Sequence, residues 1–205
     1  MTTPSARWAN PHVQPEPTWE VALLYPPQGA WSEEEYLALE GHRLIEFSHG
    51  TIEILPTPTD RHQAIAAHLN DVLRAFVQAR ALGRVRFAPL RLKLWDGKFR
   101  EPDLLFLSTA RDDLRGEQWW SGADLVMEVV SEDDPRRDVE VKRREYARAR
   151  IPEYWIVDPR HHTITVLVLD GERYVEHGMF GAGATATSVQ LPGLAVAVDP
   201  VFAAE

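Results

Sequence analysis

The sequence contains no cysteine among its 205 residues, and this absence excludes several kinds of site at once. There can be no disulfide, no thiolate nucleophile and no cysteine-rich zinc site, and the composition fits a reducing cytoplasm, where we expect the protein to be located. No run of 18 or more apolar residues occurs either. We therefore expect no membrane-spanning helix and no membrane partner. The basic and then apolar layout of a secretory signal is also missing from the first residues.

Basic residues are scarce at both ends of the chain. Residues 9–42 hold six acids and no Lys or Arg, and residues 174–205 hold three acids and no Lys or Arg. A net charge of −9 argues against a polyanionic partner. However, the segment RRDVEVKRREYARAR (136–150) carries seven basic and three acidic residues. The sequence therefore allows a local basic face on an acidic protein.

The length and composition favour one well-cored domain. Of the 205 residues, 44% are hydrophobic, and a second full domain would be cramped. Residues 1–30 are rich in proline and have little periodicity, so we predict an extended or partly disordered N-terminal segment. The predicted domain covers residues 31–205.

Helices and strands are interspersed along this domain. Ser32 and Glu35 form a capping-box pattern that opens a short helix through about Leu39. We predict these further elements: two strands within 44–55 around a turn at His49-Gly50, a helix from about Asp60 to Leu82, a strand over 84–95, a hairpin turn at Asp96-Gly97, strands over 99–108 and 123–131, a basic helix over 136–150, strands over 153–159 and 163–170, and irregular β structure from Gly171. The pattern indicates an α/β fold with a mixed sheet flanked by helices.

Two predicted strands carry an acid inside an apolar run, Asp103 in EPDLLFL and Glu128 in DLVMEVV. Carboxylates on neighbouring strands that point to the same side repel each other unless a cation lies between them. Mg²⁺ is commonly held by one or two carboxylates together with waters and substrate phosphates. Pro102 indicates that Asp103 lies near a strand end, which substrate can reach.

The basic helix supplies a third candidate, Lys142. Val139, Lys142 and Tyr146 fall at i, i+3 and i+7 and share one side of the helix. Because Val139 and Tyr146 should face the sheet, Lys142 is expected to point inward. Asp138, one turn earlier, is expected to form an ordinary helical ion pair with Lys142.

An Asp, a Glu and a Lys around a hard metal are suited to phosphodiester hydrolysis. The metal would polarise the phosphoryl oxygen and lower the pKa of a bound water, and the lysine would position that water or stabilise charge on phosphorus. Nearby basic residues would contact nucleic-acid phosphates. The candidates for this binding role are Arg136, Arg137, Arg143 and His62.

Each of these residues also has a structural interpretation. Asp103 could cap a strand end, and Glu128 could form a structural ion pair with Lys142 or an arginine. Glu46 could pair across its own hairpin. His62 could donate to a phosphate, bind a metal-bound water, or simply lie in the first turn of its helix.

The segments EPDLLFL, DLVMEVVS and RRDVEVKRREYARARIPEYWIVDP together resemble the Uma family of restriction-endonuclease-like proteins, within the PD-(D/E)xK nuclease superfamily. The similarity covers roughly residues 31–200, including LIEFSHG, the RHQ at 61–63 and LPGLAVAV. It implies a restriction-endonuclease-like fold, Mg²⁺ or Mn²⁺ as cofactor, Asp103 and Glu128 as metal ligands, and Glu46 as an auxiliary acid. The lysine of the superfamily motif would fall at Val130, so the family pattern implies that Lys142 replaces it.

The leading hypothesis is a Mg²⁺-dependent DNA endonuclease. The alternative is a catalytically inactive module of the same fold that binds nucleic acid or protein, and a third hypothesis is a hydrolase of smaller phosphate esters. Because cutting both strands of a duplex needs two active sites, we also expect a homodimer, with the tryptophan-bearing segments as candidate interfaces.

Overall fold

The computed structural model describes residues 25–39 and 44–204. Within these residues, short strands and two longer helical segments form the body of the fold. In chain order the elements are α1 (Glu33–Leu37), β1 (Ile45–Ser48), β2 (Thr51–Ile54), α2 (Asp60–Ala79), β3 (Gly83–Phe87), β4 (Arg91–Trp95), β5 (Lys98–Arg100), β6 (Leu104–Ser108), a 3₁₀ segment (Thr109–Leu114), β7 (Trp119–Trp120), β8 (Leu125–Val129), a π-helical segment (Arg137–Lys142), α3 (Arg143–Arg148), β9 (Glu153–Asp158), β10 (Thr163–Asp170), β11 (Arg173–Phe180), β12 (Thr185–Thr187), β13 (Ala195–Ala197) and α4 (Val198–Phe202).

These strands form two mixed sheets and a small hairpin. The larger sheet has the order β11-β10-β9-β8-β6-β3, and the smaller sheet has the order β2-β1-β5-β4-β7. In the larger sheet β8 and β9 run parallel while the other neighbours are antiparallel. Strands β12 and β13 pair with each other. The predicted α/β class, with a mixed sheet flanked by helices, is confirmed.

Several local predictions are confirmed by the described residues. Ser32 and Glu35 make both hydrogen bonds of a capping box at the start of α1. Strands β1 and β2 pair across the His49-Gly50 turn. Helix α2 begins at Asp60 and ends at Ala79, slightly before the predicted end at Leu82, and its buried residues are Ile65, Leu69, Leu73 and Val77.

Two segments predicted as single strands are each divided between the two sheets. The segment 84–95 forms β3 in the larger sheet and β4 in the smaller one, and Ala88-Pro89 lies between them. The segment 99–108 likewise forms β5 and then β6, with Pro102 between them. Proline cannot donate to a strand ladder, so both sequences leave one sheet at a proline and enter the other. The turn at Asp96-Gly97 joins β4 to β5, as predicted.

Two further predictions need correction. The basic helix begins with a wider π-helical turn over Arg137–Lys142 before the α-helical turns of α3. The chain after Gly171 is more regular than predicted, because β11 is an eight-residue strand paired along β10. Of the predicted N-terminal segment 1–30, residues 1–24 lie outside the described residues. Within the part of the chain that the structure describes, no helix is long and apolar enough to cross a membrane.

The larger sheet is covered on both faces, and this burial sets the environment of the site. One face packs on α2, α4 and the β12–β13 hairpin, with Leu69, Leu73, Met127 and Val196 among the buried contacts. The other face packs on α3 and part of the smaller sheet. Any polar side chain on the central strand β8 must therefore find partners inside the protein.

Candidate active site

Glu128 projects from β8 toward α3. Side chains alternate along a strand, and Leu125, Met127 and Val129 belong to the core that packs on α2. Val126 and Val130 belong to the core on the opposite face, so Glu128 shares their direction. The side chain is 2% exposed. An acid at this position needs a partner from the helix that covers this face.

That helix provides Lys142 and Tyr146, as the sequence spacing predicted. Lys142 Nζ lies 2.9 Å from Glu128 Oε2 and 3.0 Å from Asp138 Oδ1. The Tyr146 hydroxyl donates to Glu128 Oε1. Lys142 and Tyr146 are both buried, and so is Asp138. The ammonium is therefore held between two carboxylates, and the prediction of an inward-pointing lysine is confirmed.

Asp103 lies just before β6, beside the end of β8. Its Oδ2 atom accepts a hydrogen bond of 2.8 Å from the backbone N–H of Val129 and lies 3.2 Å from His62 Nε2. Its Oδ1 atom receives no hydrogen bond from the described residues. Leu104 of β6 lies opposite Met127 of β8 in an antiparallel pair, so Asp103, the residue before Leu104, lies close to Glu128, the residue after Met127. The contacts with Val129 and His62 fix the orientation of the Asp103 carboxylate beside the cavity.

Asp103, Glu128 and Lys142 line one cavity of about 170 Å³. The N-terminal end of α2, the loop before it and the loop after β8 complete its wall. Its charged lining residues are Arg61, His62, Glu101, Asp103, Glu128, Glu132, Asp133, Asp134, Arg137, Asp138 and Lys142. Carboxylates are the majority among these groups. The cavity is therefore suited to attract a cation.

The pKa values reflect this excess of carboxylates. Burial raises the pKa of Glu128 above its usual range; the charge of Lys142 lowers it but does not fully compensate, and Asp103 raises it further. Burial alone would lower the pKa of Lys142, but Glu128 and Asp138 raise it well above its usual range. The lysine is thus firmly protonated, and an additional cation near Asp103 would stabilise the ionised form of Glu128.

Comparison with known families identifies the family of the chain. The family model Uma2, described as "Putative restriction endonuclease", matches residues 33–199. The chain belongs to the Uma2 family. The match covers most of the chain and includes Asp103, Glu128 and Lys142, and the resemblance noted from the sequence is confirmed. Membership places the chain in a family of restriction-endonuclease-like nucleases, which implies a nucleic-acid substrate.

A solved structure shares the fold. It is described as a putative nuclease belonging to DUF820 from Anabaena variabilis, and it superposes with a TM-score of 0.70 at 18% sequence identity. The alignment covers 84% of this chain and 98% of the other. No curated protein sequence matches this chain. At this identity the likeness establishes a shared fold.

Two residues after Glu128, this Uma2 chain has Val130 in place of the lysine of the superfamily motif. Val130 is buried in the core that faces α3, and its backbone N–H donates to the carbonyl of Val157. Lys142 supplies an ammonium to Glu128 from the helix instead.

Glu46 lies in a neighbouring network of charges. Its carboxylate accepts hydrogen bonds from Arg100 and Arg137. Glu53, directly opposite on β2, contacts the same two arginines at 3.2 and 2.8 Å. Burial would raise the pKa of Glu46, but the charges of Lys142, Arg100 and Arg137 outweigh it and lower the pKa to about 2. Glu46 is therefore an ionised group that holds the arginines beside the cavity.

Arg100 also belongs to this arrangement, although no local pattern in the sequence predicts it. Its side chain is buried, and its Nε donates to Glu145 of α3 at 2.7 Å. Lys98 Nζ also lies 2.8 Å from Glu145. All three residues of β5 are buried, so its two charged residues, Lys98 and Arg100, require counter-charges inside the protein.

The arginines predicted to bind nucleic acid occupy different environments. Arg137 lines the cavity but is engaged by Glu46 and Glu53. Arg143 donates to the carbonyl of Tyr174 and does not line the cavity. Arg136 has an 80% exposed side chain, paired with Glu140 on the surface. Arg136 is therefore the arginine of the three that remains accessible.

The residues present fit a divalent cation in the Mg²⁺ mode. Among residues 25–39 and 44–204, no three His, Asp or Glu side chains are gathered into a complete metal-binding group. Mg²⁺ does not need one, because it is usually bound through one or two carboxylates and keeps several waters. The carboxylates of Asp103 and Glu128 and the surplus of acidic lining residues meet this requirement.

Proposed function

We propose that this chain is a Mg²⁺- or Mn²⁺-dependent endonuclease that hydrolyses phosphodiester bonds of DNA. The observation that supports the proposal is that Asp103, Glu128 and Lys142, from three separate elements, line the same cavity. The proposed catalytic domain spans residues 31–205, and Asp103 and Glu128 are the proposed metal ligands. When bound there, the metal would polarise the phosphoryl oxygen and acidify a coordinated water.

Lys142 provides the fixed positive charge of the proposed reaction. Its ammonium is protonated and held by Glu128 and Asp138, so it can donate a hydrogen bond to a water or to a phosphoryl oxygen without reorganising. The Tyr146 hydroxyl holds the other oxygen of Glu128 and thereby limits its rotation. Glu46 acts indirectly, because its carboxylate keeps Arg100 and Arg137 in position.

A second groove offers a surface for the DNA backbone. It has a volume of about 390 Å³ and lies between α2 and β3, where Arg74, Arg84 and Arg86 are among its lining residues and no Asp or Glu of the described chain is. Phe87, 56% exposed, ends this groove and pairs with Leu104, the residue directly after Asp103. The groove thus leads toward the candidate active site, and we propose that it binds DNA together with Arg136.

The proposed homodimer would not use Trp120 or Trp155 as interface residues. Trp120 and Trp155 are buried within the chain, and Trp119 packs on the edge of Phe99. Light scattering at micromolar concentration tests the dimer, and a purely monomeric protein would refute it.

The decisive experiment measures cleavage of supercoiled plasmid with Mg²⁺ or Mn²⁺. Wild type should cut, and Asp103→Asn and Lys142→Met should each reduce the rate by at least about 100-fold, because each removes a group that touches the metal or the reacting phosphate. Glu172→Gln, which removes a charge at a 91% exposed side chain, should leave the rate unchanged. Equal cutting by wild type and Asp103→Asn would refute the assignment.

One observation favours the inactive alternative. Both oxygens of Glu128 already have hydrogen-bonding partners, Lys142 and Tyr146. A protein that uses the fold only for binding would retain DNA without cutting it and would not bind Mn²⁺ in a calorimetric titration. Cleavage with metal removes this alternative.

A further inference from the structure

The imidazole of His62 is directed at two oxygen atoms of the candidate metal site. Its Nε2 atom lies 3.2 Å from Asp103 Oδ2 and 3.1 Å from the backbone carbonyl oxygen of Val129. The Val129 carbonyl directly follows Glu128 in the chain. Nε2 of His62 therefore lies within hydrogen-bonding distance of a side-chain oxygen next to β6 and of a backbone oxygen of β8.

We propose that His62 is a nitrogen ligand of the divalent metal, with Asp103 and the Val129 carbonyl as adjacent ligands. The inference rests on the proposed metal-dependent function and goes beyond it, because it changes the role of His62 from a phosphate contact to a ligand. It also adds two ligand atoms that are not carboxylates to the proposed site.

The spacing of the three atoms is compatible with this role. Metal–oxygen bonds of about 2.1 Å place neighbouring ligand atoms of an octahedral site about 3 Å apart. The two measured separations, 3.2 and 3.1 Å, are of this size. Both oxygens are acceptors, so Nε2 forms a hydrogen bond to them only when it carries a proton. With metal, all three atoms would direct lone pairs to a common centre, and the ring would carry its proton on Nδ1.

The local fold holds His62 in place for such a role. Thr59 caps α2, and its side-chain oxygen accepts a hydrogen bond from the backbone N–H of His62. The first turn of α2 thus fixes His62 where its ring faces Asp103 and the Val129 carbonyl. Its side chain is 16% exposed, so little of the ring is free to meet a phosphate in solvent.

A nitrogen ligand has a consequence for metal choice. Mg²⁺ favours oxygen ligands, whereas imidazole increases the affinity for transition metals such as Mn²⁺ relative to Mg²⁺. The proposed site should therefore bind Mn²⁺ more tightly than Mg²⁺, and part of this preference should depend on His62. A histidine that only hydrogen-bonds to Asp103 would not contribute nitrogen to the metal.

The test measures metal binding directly, without DNA. Mn²⁺ bound to the wild-type chain should show ¹⁴N hyperfine coupling by pulsed electron paramagnetic resonance, and the His62→Gln variant should lose it. Titration calorimetry should show Mn²⁺ affinity reduced at least about tenfold in His62→Gln, with a smaller change for Mg²⁺, since even the loss of an outer partner of a ligand costs about 10–100-fold. His68→Gln, on the same helix but outside the cavity lining, is the matched control and should bind as wild type does.

The outcomes separate the two proposals. Mn²⁺ binding that requires Asp103 but shows no ¹⁴N coupling in the wild-type protein would overturn the assignment of His62 and leave the proposed function intact. No Mn²⁺ binding by the wild type would overturn the metal-dependent function, and this inference with it. The hyperfine measurement uses the unaltered protein, so it does not depend on the folding of any variant.

Discussion

Lys142 and Glu128 form a buried ion pair at 2.9 Å between a helix and the central strand of the larger sheet. Taking both charges out of water is costly, and their attraction offsets this cost only while both are present. Glu128 gains a second donor from Tyr146, and Lys142 gains a second carboxylate from Asp138. The pair therefore connects the chemistry proposed for the site to the stability of the fold.

Removing one member of this pair should destabilise the protein more than removing both. We expect Lys142→Met to lower the free energy of unfolding by about 3–5 kcal/mol, because Glu128 and Asp138 are left buried without a counter-charge. The double variant Glu128→Gln/Lys142→Met should recover part of that loss. Urea unfolding measures both values. Arg136→Ala, which breaks an exposed pair with Glu140, should cost less than about 1 kcal/mol. A double variant less stable than Lys142→Met would contradict the prediction.

Glu46 and Glu53 offer a matched comparison, because they face each other across β1 and β2 and contact the same two arginines. The side chain of Glu46 is fully buried, whereas that of Glu53 is 46% exposed. We expect Glu46→Ala to cost about 3–5 kcal/mol, because Arg100 and Arg137 lose the fully buried carboxylate that they share. Glu53→Ala should cost less than about 1 kcal/mol, since water can replace its carboxylate. Equal losses in denaturant unfolding would show that Glu46 has no special structural role.

The sequence predicted those parts of the site that depend on local periodicity. Glu128 was identified as an acid inside a buried strand, and Lys142 as an inward residue from its spacing to Tyr146, because both patterns repeat within a few residues. The contact between His62 and Asp103 could not be predicted in this way, because it depends on how α2 packs against the sheet. The division of 84–95 between two sheets was missed for a related reason: alternation continues through Ala88-Pro89, and it does not show which strand each half will pair with.

Glu101 should make the stability depend on pH near neutrality. Burial raises the pKa of this carboxyl from 4.5 to about 7, although the Ile45 N–H and Arg91 partly oppose the shift. A carboxyl with a higher pKa in the folded state binds a proton on folding. Its stabilising contribution is therefore complete below about pH 4.5 and is lost as the pH rises through about 7.

The variant Glu101→Gln should remove this dependence. At pH 5 its free energy of unfolding should be close to that of wild type, and at pH 8 it should be higher by up to about 3 kcal/mol. Urea unfolding in the presence of a chelator, at pH values from 5 to 8, measures the difference. The exposed Glu34→Gln serves as control and should follow wild type at each pH. Parallel curves for wild type and Glu101→Gln would show that Glu101 is ionised throughout this range.

The salt dependence of DNA binding should distinguish Arg74 and Arg136, which are accessible, from Arg143, which donates to a backbone carbonyl. Arg74 in the groove and Arg136 beside the cavity are both exposed, so each can neutralise one phosphate. In a log–log plot of DNA affinity against salt concentration, Arg74→Ala and Arg136→Ala should each reduce the magnitude of the slope by about 1. Each variant should also weaken binding by a similar factor for every DNA sequence tested. Arg143 donates to the Tyr174 carbonyl, so Arg143→Ala should leave the slope unchanged. Fluorescence anisotropy with a labelled duplex and the chelated, non-cutting protein gives these slopes. If Arg143→Ala alone altered the slope, the DNA would have to bind over α3 and not along the groove that leads to Asp103.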